Sequence, residues 1–381
     1  MPLVLNEEQV LLKDSARDFF ANKMPVKQLR TLRDNNDATG YSTESWQEIV
    51  ALGWPGVAIP EAFGGLEFGY TGLGVVMEES GRTLAASPLF ATCALGANLI
   101  LFGGSEDQKS DLLPRVAQGE LTLALAIEES STHGPERTRA QATEDGDSFV
   151  LDGSKKYVLD GHSADQILVL ARTSGSAGRS DGLTLFLVDP AASGVQIGRL
   201  QTMDARNWAN IDLSGVRVPK SAVLGTVGQA AAPLQDALSA AQILLSAEML
   251  GSTLECFERT IEYIKTRVQF DRAIGSLQAI QHRAAHMYSE IELAKSVVIN
   301  ALQALDQDTR GDELAKIASL TKAKLAEVFN LVSSEGVQMH GGIGMTDEEE
   351  IGFFLKRARA TEHTLGDVRY HQNRYGALIG V

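Results

Sequence analysis

The residue periodicity of this chain changes twice, and those two changes restrict it to a helical–β–helical architecture. Up to about Gly119 apolar residues recur mostly at helical spacing; from Leu121 to Leu224 they alternate or form short β-branched runs; beyond Val227 helical spacing returns. A period of 3.6 buries a stripe and a period of 2 buries a face, so neither segment can take the other's form. The expected class is α+β: a helical domain at 1–118, a β domain at 119–228 and a helical bundle at 229–381.

Local signals fill in each part. Asn6 is placed to cap a first helix, with Val10, Leu11, Leu12, Ala16, Phe19 and Phe20 as its apolar residues. Further helices are expected over Ser45 to Leu52, Gly72 to Leu84 and Pro88 to Phe102, with the Gly/Pro-rich GWPGVAIPEAFGG as an interruption. In the middle, runs such as LTLALAI, ADQILVLAR, LTLFLVD and IDLSGVRVP imply seven or eight strands in a barrel or sandwich. No GxGxxG follows any of them, which argues against a Rossmann cofactor site. The last part predicts helices from about 230 to 266, 276 to 305, 312 to 336 and 346 to 363, a bundle of four or so.

Composition narrows the function. With 49 acidic and 34 basic residues, and no Lys/Arg-dense run, the chain lacks a nucleic-acid footprint, and an anionic ligand would need locally placed cations. Cys93 and Cys256 sit far apart in apolar segments without ligand-like spacing, which suits buried reduced thiols. No basic n-region precedes an apolar h-region, and no apolar run is read as membrane-spanning, so the expected location is the cytoplasm or a similar reducing compartment.

Two blocks carry chemistry. RVQFDRAIGSLQAIQ, from Arg267 to Gln281, presents a guanidinium, an aromatic ring and an amide around a helix break, groups that can hold a pyrophosphate, stack on a ring and bond a ribose or base. The same block reads equally as a helix end with a cation at its negative pole. QMHGGIGM, from Gln338 to Met345, allows close backbone approach to a ligand at Gly341 and Gly342, or simply ends a helix.

Taken together, the RxxF…Q and QxxGGxG blocks in this order within an α–β–α chain resemble the acyl-CoA dehydrogenases over essentially the whole length. The resemblance implies FAD between the β domain and the bundle, an acyl-CoA substrate, an electron-transferring flavoprotein as oxidant, and assembly into dimers or tetramers that complete the flavin site. It implies that Arg267 holds the FAD pyrophosphate, that Phe270 and Gln278 contact its adenosine half, and that Gln338, Gly341 and Gly342 reach a neighbour's cofactor. Where the family carries T-E-P-G-A-G-S-D, this chain reads Ile127 to Gly134, IEESSTHG; its usual W-x-T becomes Tyr157-Val158-Leu159. Ile127, Tyr157 and Leu159 are therefore expected at the flavin, Tyr157 by stacking and Leu159 only through its backbone.

The family reaction removes an α-proton with a carboxylate while the β-hydrogen leaves as hydride to the flavin, giving a trans-2-enoyl-CoA. The two positions that supply the carboxylate are matched by Leu365 and Ala241, neither of which can accept a proton. Asp367, two residues beyond Leu365, and Glu248, seven beyond Ala241 on the same helical face, are the substitutes to weigh, with a flavin contact and a bundle salt bridge as their plainer roles. Glu362 and His363 flank the position more weakly, and Gln242 stands where many members bind substrate with an arginine. Three other readings follow from the vacancy: the base-less FAD-clamp partner of a heteromeric dehydrogenase acting on sterol or dicarboxylate thioesters, a flavin oxidase or monooxygenase, and a flavin-free scaffold.

Overall fold

The computed structural model describes residues 4–381. Its first third holds α1 (Glu7–Lys23), α2 (Val26–Asp34), α3 (Thr43–Ala51), α4 (Gly69–Arg82), a π-helical stretch Phe90–Ala97 that runs into α5 (Asn98–Gly103), and α6 (Glu106–Ala117). Asn6 caps α1 in a capping box, as its position predicts: its side chain accepts from the Gln9 N–H and the Gln9 side chain accepts from the Asn6 N–H. The buried stripe is narrower than expected: Ala16 and Phe20 are enclosed and Leu12 and Phe19 pack beside them, but Val10 and Leu11 stand 43% and 70% exposed. At 3.6 residues per turn Val10 and Leu11 lie more than about 100° around the helix from Ala16.

Eight strands form one sheet: β1 (Leu123–Ala126), β2 (Gln141–Asp145), β3 (Ser148–Leu159), β4 (Gln166–Arg172), β5 (Leu183–Val188), β6 (Val195–Leu200), β7 (Trp208–Pro219) and β8 (Val223–Leu224). The order is β6-β7-β3-β2-β4-β5-β8, with β1 parallel on β4. Strand β4 shows why its sequence is apolar from Ile167 to Ala171. Ile167, Val169 and Ala171 enter a core with Phe149, Phe186 and Ile211, while Leu168 and Leu170 face the opposite way into the helical core with Leu125 and Leu185. The sheet thus has one core of its own and lends its other face to the helices.

The last third comprises α7 (Ala231–Thr266), a hairpin of β9 (Val268–Gln269) and β10 (Arg272–Ala273), then α8 (Gln278–Asp306), α9 (Gly311–His340), α10 (Ile351–His363) and α11 (Val368–Ile379). Helix α11 is one more than the periodicity predicts. Every residue of α7 from Ala237 to Leu254 is buried. By length and composition α7 could cross a membrane, contrary to the expectation of no such run, but its apolar window is wholly enclosed by protein. Helix α4 crosses α7 at backbone contact: a Cβ on Gly251 would stand 1.7 Å from the Glu78 carbonyl oxygen, and one on Gly81 2.0 Å from that of Glu248.

Candidate functional site

A cleft of about 930 Å³ opens between the sheet and the bundle. One wall comes from Leu125 and Ile127 at the end of β1, Tyr157 and Leu159 of β3, and Trp208 of β7; the other comes from Arg359 and His363 of α10 and from Leu365, Asp367 and Tyr370 around the start of α11. Tyr157 reaches the cleft because the β3–β7 register shifts between Lys155 and Val158, leaving Tyr157 at φ 50° and 49% exposed. A second cavity of about 800 Å³, lined by Gln338, Gly341, Gly342, Gly344 and Met345, adjoins the first, since Met203 and Arg359 line both.

The turn that carries Leu365 is held from beneath. Leu365 and Gly366 adopt φ 58° and 105°, conformations that a turn between two helices permits at a local cost. The Leu365 carbonyl accepts from Gln242 Nε2 at 3.0 Å and His371 Nε2 at 3.1 Å, and the Gly366 carbonyl from Lys322 Nζ at 3.2 Å. Burial pushes the Lys322 ammonium down to about 7, against the attraction of Glu362 and Asp367. His371 is pushed down to about 2 by burial and by Lys322, His133 and Arg374 around it, so its ring stays neutral and donates through Nε2. Its linkage has a definite sign. Below about pH 6.5 the unfolded chain takes a proton on His371 that the folded state refuses, so stability is full above that pH and is lost as pH falls toward 2. H371Q is expected to narrow the loss of stability between pH 7 and pH 5, measured by urea unfolding; an unchanged loss would exclude this role.

The candidate bases separate. Ala241 is fully buried in α7 and lines neither cavity. Asp367 does line the cleft, but its Oδ1 caps α11 by accepting from the Tyr370 N–H at 2.7 Å. Glu248 does not line the cleft: one carboxylate oxygen accepts from Arg206 Nη2 at 2.7 Å and the other from Arg357 Nη1 at 3.4 Å, in a buried network that Arg357 extends to Asp204 at 3.1 Å. The salt-bridge reading of Glu248 is the one the geometry supports. Gln242 needs the same correction as a substrate ligand. It is fully buried, and its amide ties the Leu365 turn to Arg374, whose Nη1 donates to Gln242 Oε1 at 3.2 Å.

The two blocks divide differently from the expectation. Gln338, Gly341 and Gly342 line the cavity that continues this chain's own cleft, whereas Arg267, Phe270 and Gln278 are exposed, Phe270 by 82%, and line neither cavity. The blocks still meet at one end of the bundle. Tyr263, one turn before Arg267, stacks on His340 at 4.2 Å and donates to the His340 carbonyl at 3.2 Å. Phe270, at φ 56° on the tip of the β9–β10 hairpin, points away from the chain.

The residues present fit FAD. The first cleft offers apolar walls and the exposed Tyr157 ring, and the second offers glycines whose identity the chain's own packing does not require. A Cβ on Gly341 or Gly342 would meet nothing within 4 Å, which leaves that surface free for a ligand. Sequence reasoning passed over two groups. Glu128 and His133 line the cleft and are hydrogen-bonded to each other, and Tyr370 packs on His133. The signal was available in IEESSTHG, where a carboxylate and an imidazole five residues apart share a segment otherwise rich in small residues.

Comparison with known proteins matches three family models in chain order: acyl-CoA dehydrogenase N-terminal domain over residues 6–120, middle domain over 128–216 and C-terminal domain over 232–375. The 3-(aryl)acrylate reductase of Clostridium sporogenes is 29% identical over 359 residues, covering 92% of each protein. Among solved structures, a variant of the Tcur3481-Tcur3483 steroid ACAD is 31% identical with a TM-score of 0.86 and 98% coverage of both chains. A chain in the structure of the electron transferring flavoprotein of Acidaminococcus fermentans is 25% identical with a TM-score of 0.91, covering 100% of this chain and 99% of that one.

Proposed function

This chain belongs to the acyl-CoA dehydrogenase family and is an FAD flavoprotein, and from that premise we propose that it oxidises an acyl-CoA thioester to the trans-2-enoyl-CoA and passes the electrons to an electron-transferring flavoprotein. One observation carries the reading: the cleft between sheet and bundle joins the Tyr157–Leu159 wall to the Leu365 turn and continues into the cavity of Gln338, Gly341 and Gly342. Bound FAD supplies hydride acceptance. The chain's part is to stack Tyr157 on the ring, to exclude water with Leu125, Ile127, Leu159 and Trp208, and to hold the thioester against the turn that Gln242, Lys322 and His371 fix.

The purified protein is expected to show flavin absorbance, and anaerobic addition of an acyl-CoA from a panel of short, long and sterol side-chain thioesters is expected to bleach it. Flavin that no member of the panel bleaches would sink the reading of a dehydrogenase acting alone. A second reading is favoured by the exposed Arg267, Phe270 and Gln278, which face away from this chain's own cavities and would complete the flavin site of an adjoining subunit. In that reading the chain is one half of a heteromer with a glutamate-bearing paralogue, and bleaching appears only when the two are mixed. The cytoplasm is the compartment proposed for either form.

A further inference from the structure

We propose that His133, oriented by Glu128, is the proton acceptor in this cleft, in place of the carboxylate that Leu365 does not supply. The proposal rests on the reading that this chain oxidises an acyl-CoA by itself. It comes from the geometry of the segment that departs most from the family pattern.

His133 Nδ1 is hydrogen-bonded to Glu128 Oε1, and both residues line the cleft. A carboxylate on one imidazole nitrogen fixes the tautomer, leaves the lone pair on the other nitrogen and stabilises the imidazolium that forms. Nε2 makes no hydrogen bond among the described residues and is not fully buried. The backbone around the ring is fixed as well: Arg137 Nη2 donates to the His133 carbonyl.

The ring also packs against α11. His133 meets Tyr370 edge-on, with centroids 4.8 Å apart and planes at 81°. Tyr370 packs on the turn in question, since a Cβ on Gly366 would come within 2.5 Å of Tyr370 Cδ1. Through Tyr370, His133 thus adjoins the helix whose first turn carries Leu365, while the backbone of its partner Glu128 accepts from the Lys156 N–H at 2.8 Å, beside Tyr157.

The other titratable groups of the cleft are committed or lack an orienting partner. Asp204 is held by Arg357 and by Thr202 Oγ1 at 2.8 Å, Asp367 caps α11, and His371, behind Tyr370, already donates to Leu365. His363 lines the cleft but is exposed, and its ring makes no hydrogen bond among the described residues that would fix it. The charged and titratable groups facing His133 are Glu128 and Arg137 from its own side and Tyr370 and His371 from α11.

In the step, the α C–H bond breaks and its proton goes to Nε2. Its electron pair forms the new C=C bond as the β-hydrogen leaves with its own pair, as hydride, reducing FAD by two electrons. His133 is the catalytic residue and Glu128 a positioning residue.

The test separates proton removal from hydride transfer. The FAD-loaded protein is incubated in D₂O with 3-thia-acyl-CoAs of short, medium and long chain, which have no β-carbon hydrogen to lose, and α-deuteration is followed by mass spectrometry. The wild type is expected to exchange the α-proton, and H133Q to exchange it about 100-fold or more slowly with FAD content and thioester binding retained. E128Q is expected to slow exchange less and to move the lower limb of its pH profile to lower pH, because the imidazolium loses its carboxylate. H133Q/L365E is expected to regain exchange. An unchanged rate in H133Q overturns the proposal while leaving the dehydrogenase reading intact. A wild type that neither exchanges nor is bleached by acyl-CoA overturns both. Loss of FAD from H133Q and from H133N alike would make His133 structural, which also overturns it.

Discussion

Replacing Glu248 with alanine is expected to lower the free energy of unfolding by about 3–5 kcal/mol, the cost of breaking a buried ion pair from one side. The reason lies in the arrangement around it. Glu248 holds two guanidinium groups, Arg206 at 2.7 Å and Arg357 at 3.4 Å, and the side chains of Glu248 and Arg357 are 5% and 2% exposed. Arg357 keeps Asp204 after the substitution, but Arg206 loses its only ion-pair partner among the described residues. What remains to Arg206 is the attraction of Asp204, the face of Phe90, 5.5 Å from the guanidinium carbon, and the carboxyl of Asp160, which burial pushes up to about 7 against the pull of Arg206. Removing the Glu248 charge lets Asp160 ionise more readily, and that offsets part of the loss. E248Q keeps the shape without the charge and is expected to be nearly as destabilising. Chemical unfolding at pH 7 reads both, and a loss below about 1 kcal/mol in E248A would mean that the network is solvated rather than buried.

The second large effect is steric. G251A is expected to destabilise by about 1–3 kcal/mol, because an added methyl can only be accommodated by moving α7 off α4. Its Cβ would stand 1.7 Å from the Glu78 carbonyl oxygen, and the obstacle is backbone, which has no rotamer to change. The crossing is tight from both sides, since Gly81 meets the Glu248 carbonyl at 2.0 Å in the same sense. G342A is the control: its Cβ meets nothing within 4 Å, so its unfolding midpoint is expected to stay where the wild type's is. Equal midpoints for G251A and G342A would refute the close crossing. Because Glu248 sits where α4 crosses α7, spreading this contact also loosens the ion network, and the two substitutions are expected to be less than additive in combination.

Much of the fold was legible because it depends on neighbours in sequence. Asn6 and Gln9 make their capping box within one turn, and the continuous apolar run of QILVLAR marks a strand buried on both faces. One wall of the cleft was legible for a related reason: Ile127, Tyr157 and Leu159 lie at the ends of strands whose positions the family pattern marks, and all three line it. Helix α11 was missed because its apolar signal is weak; of its residues only His371 is buried, and the helix is started by the Asp367 cap rather than by an apolar stripe.

The sequence by itself determined the α–β–α order through its periodicity and, through the resemblance of its motifs, the family, the flavin and the absence of a carboxylate at Leu365 and Ala241. Contacts between residues far apart in the chain settled the rest. Glu248 became a bridge between Arg206 and Arg357, Gln242 a tether for a turn 123 positions away, and Gln338 with its glycines, rather than Arg267 and Phe270, a wall of the chain's own cavity. The physical reason is the same in each case. A polar side chain in an apolar helix must find a partner, but which one it finds depends on how helices and sheet cross, and that geometry is a property of the packed core as a whole.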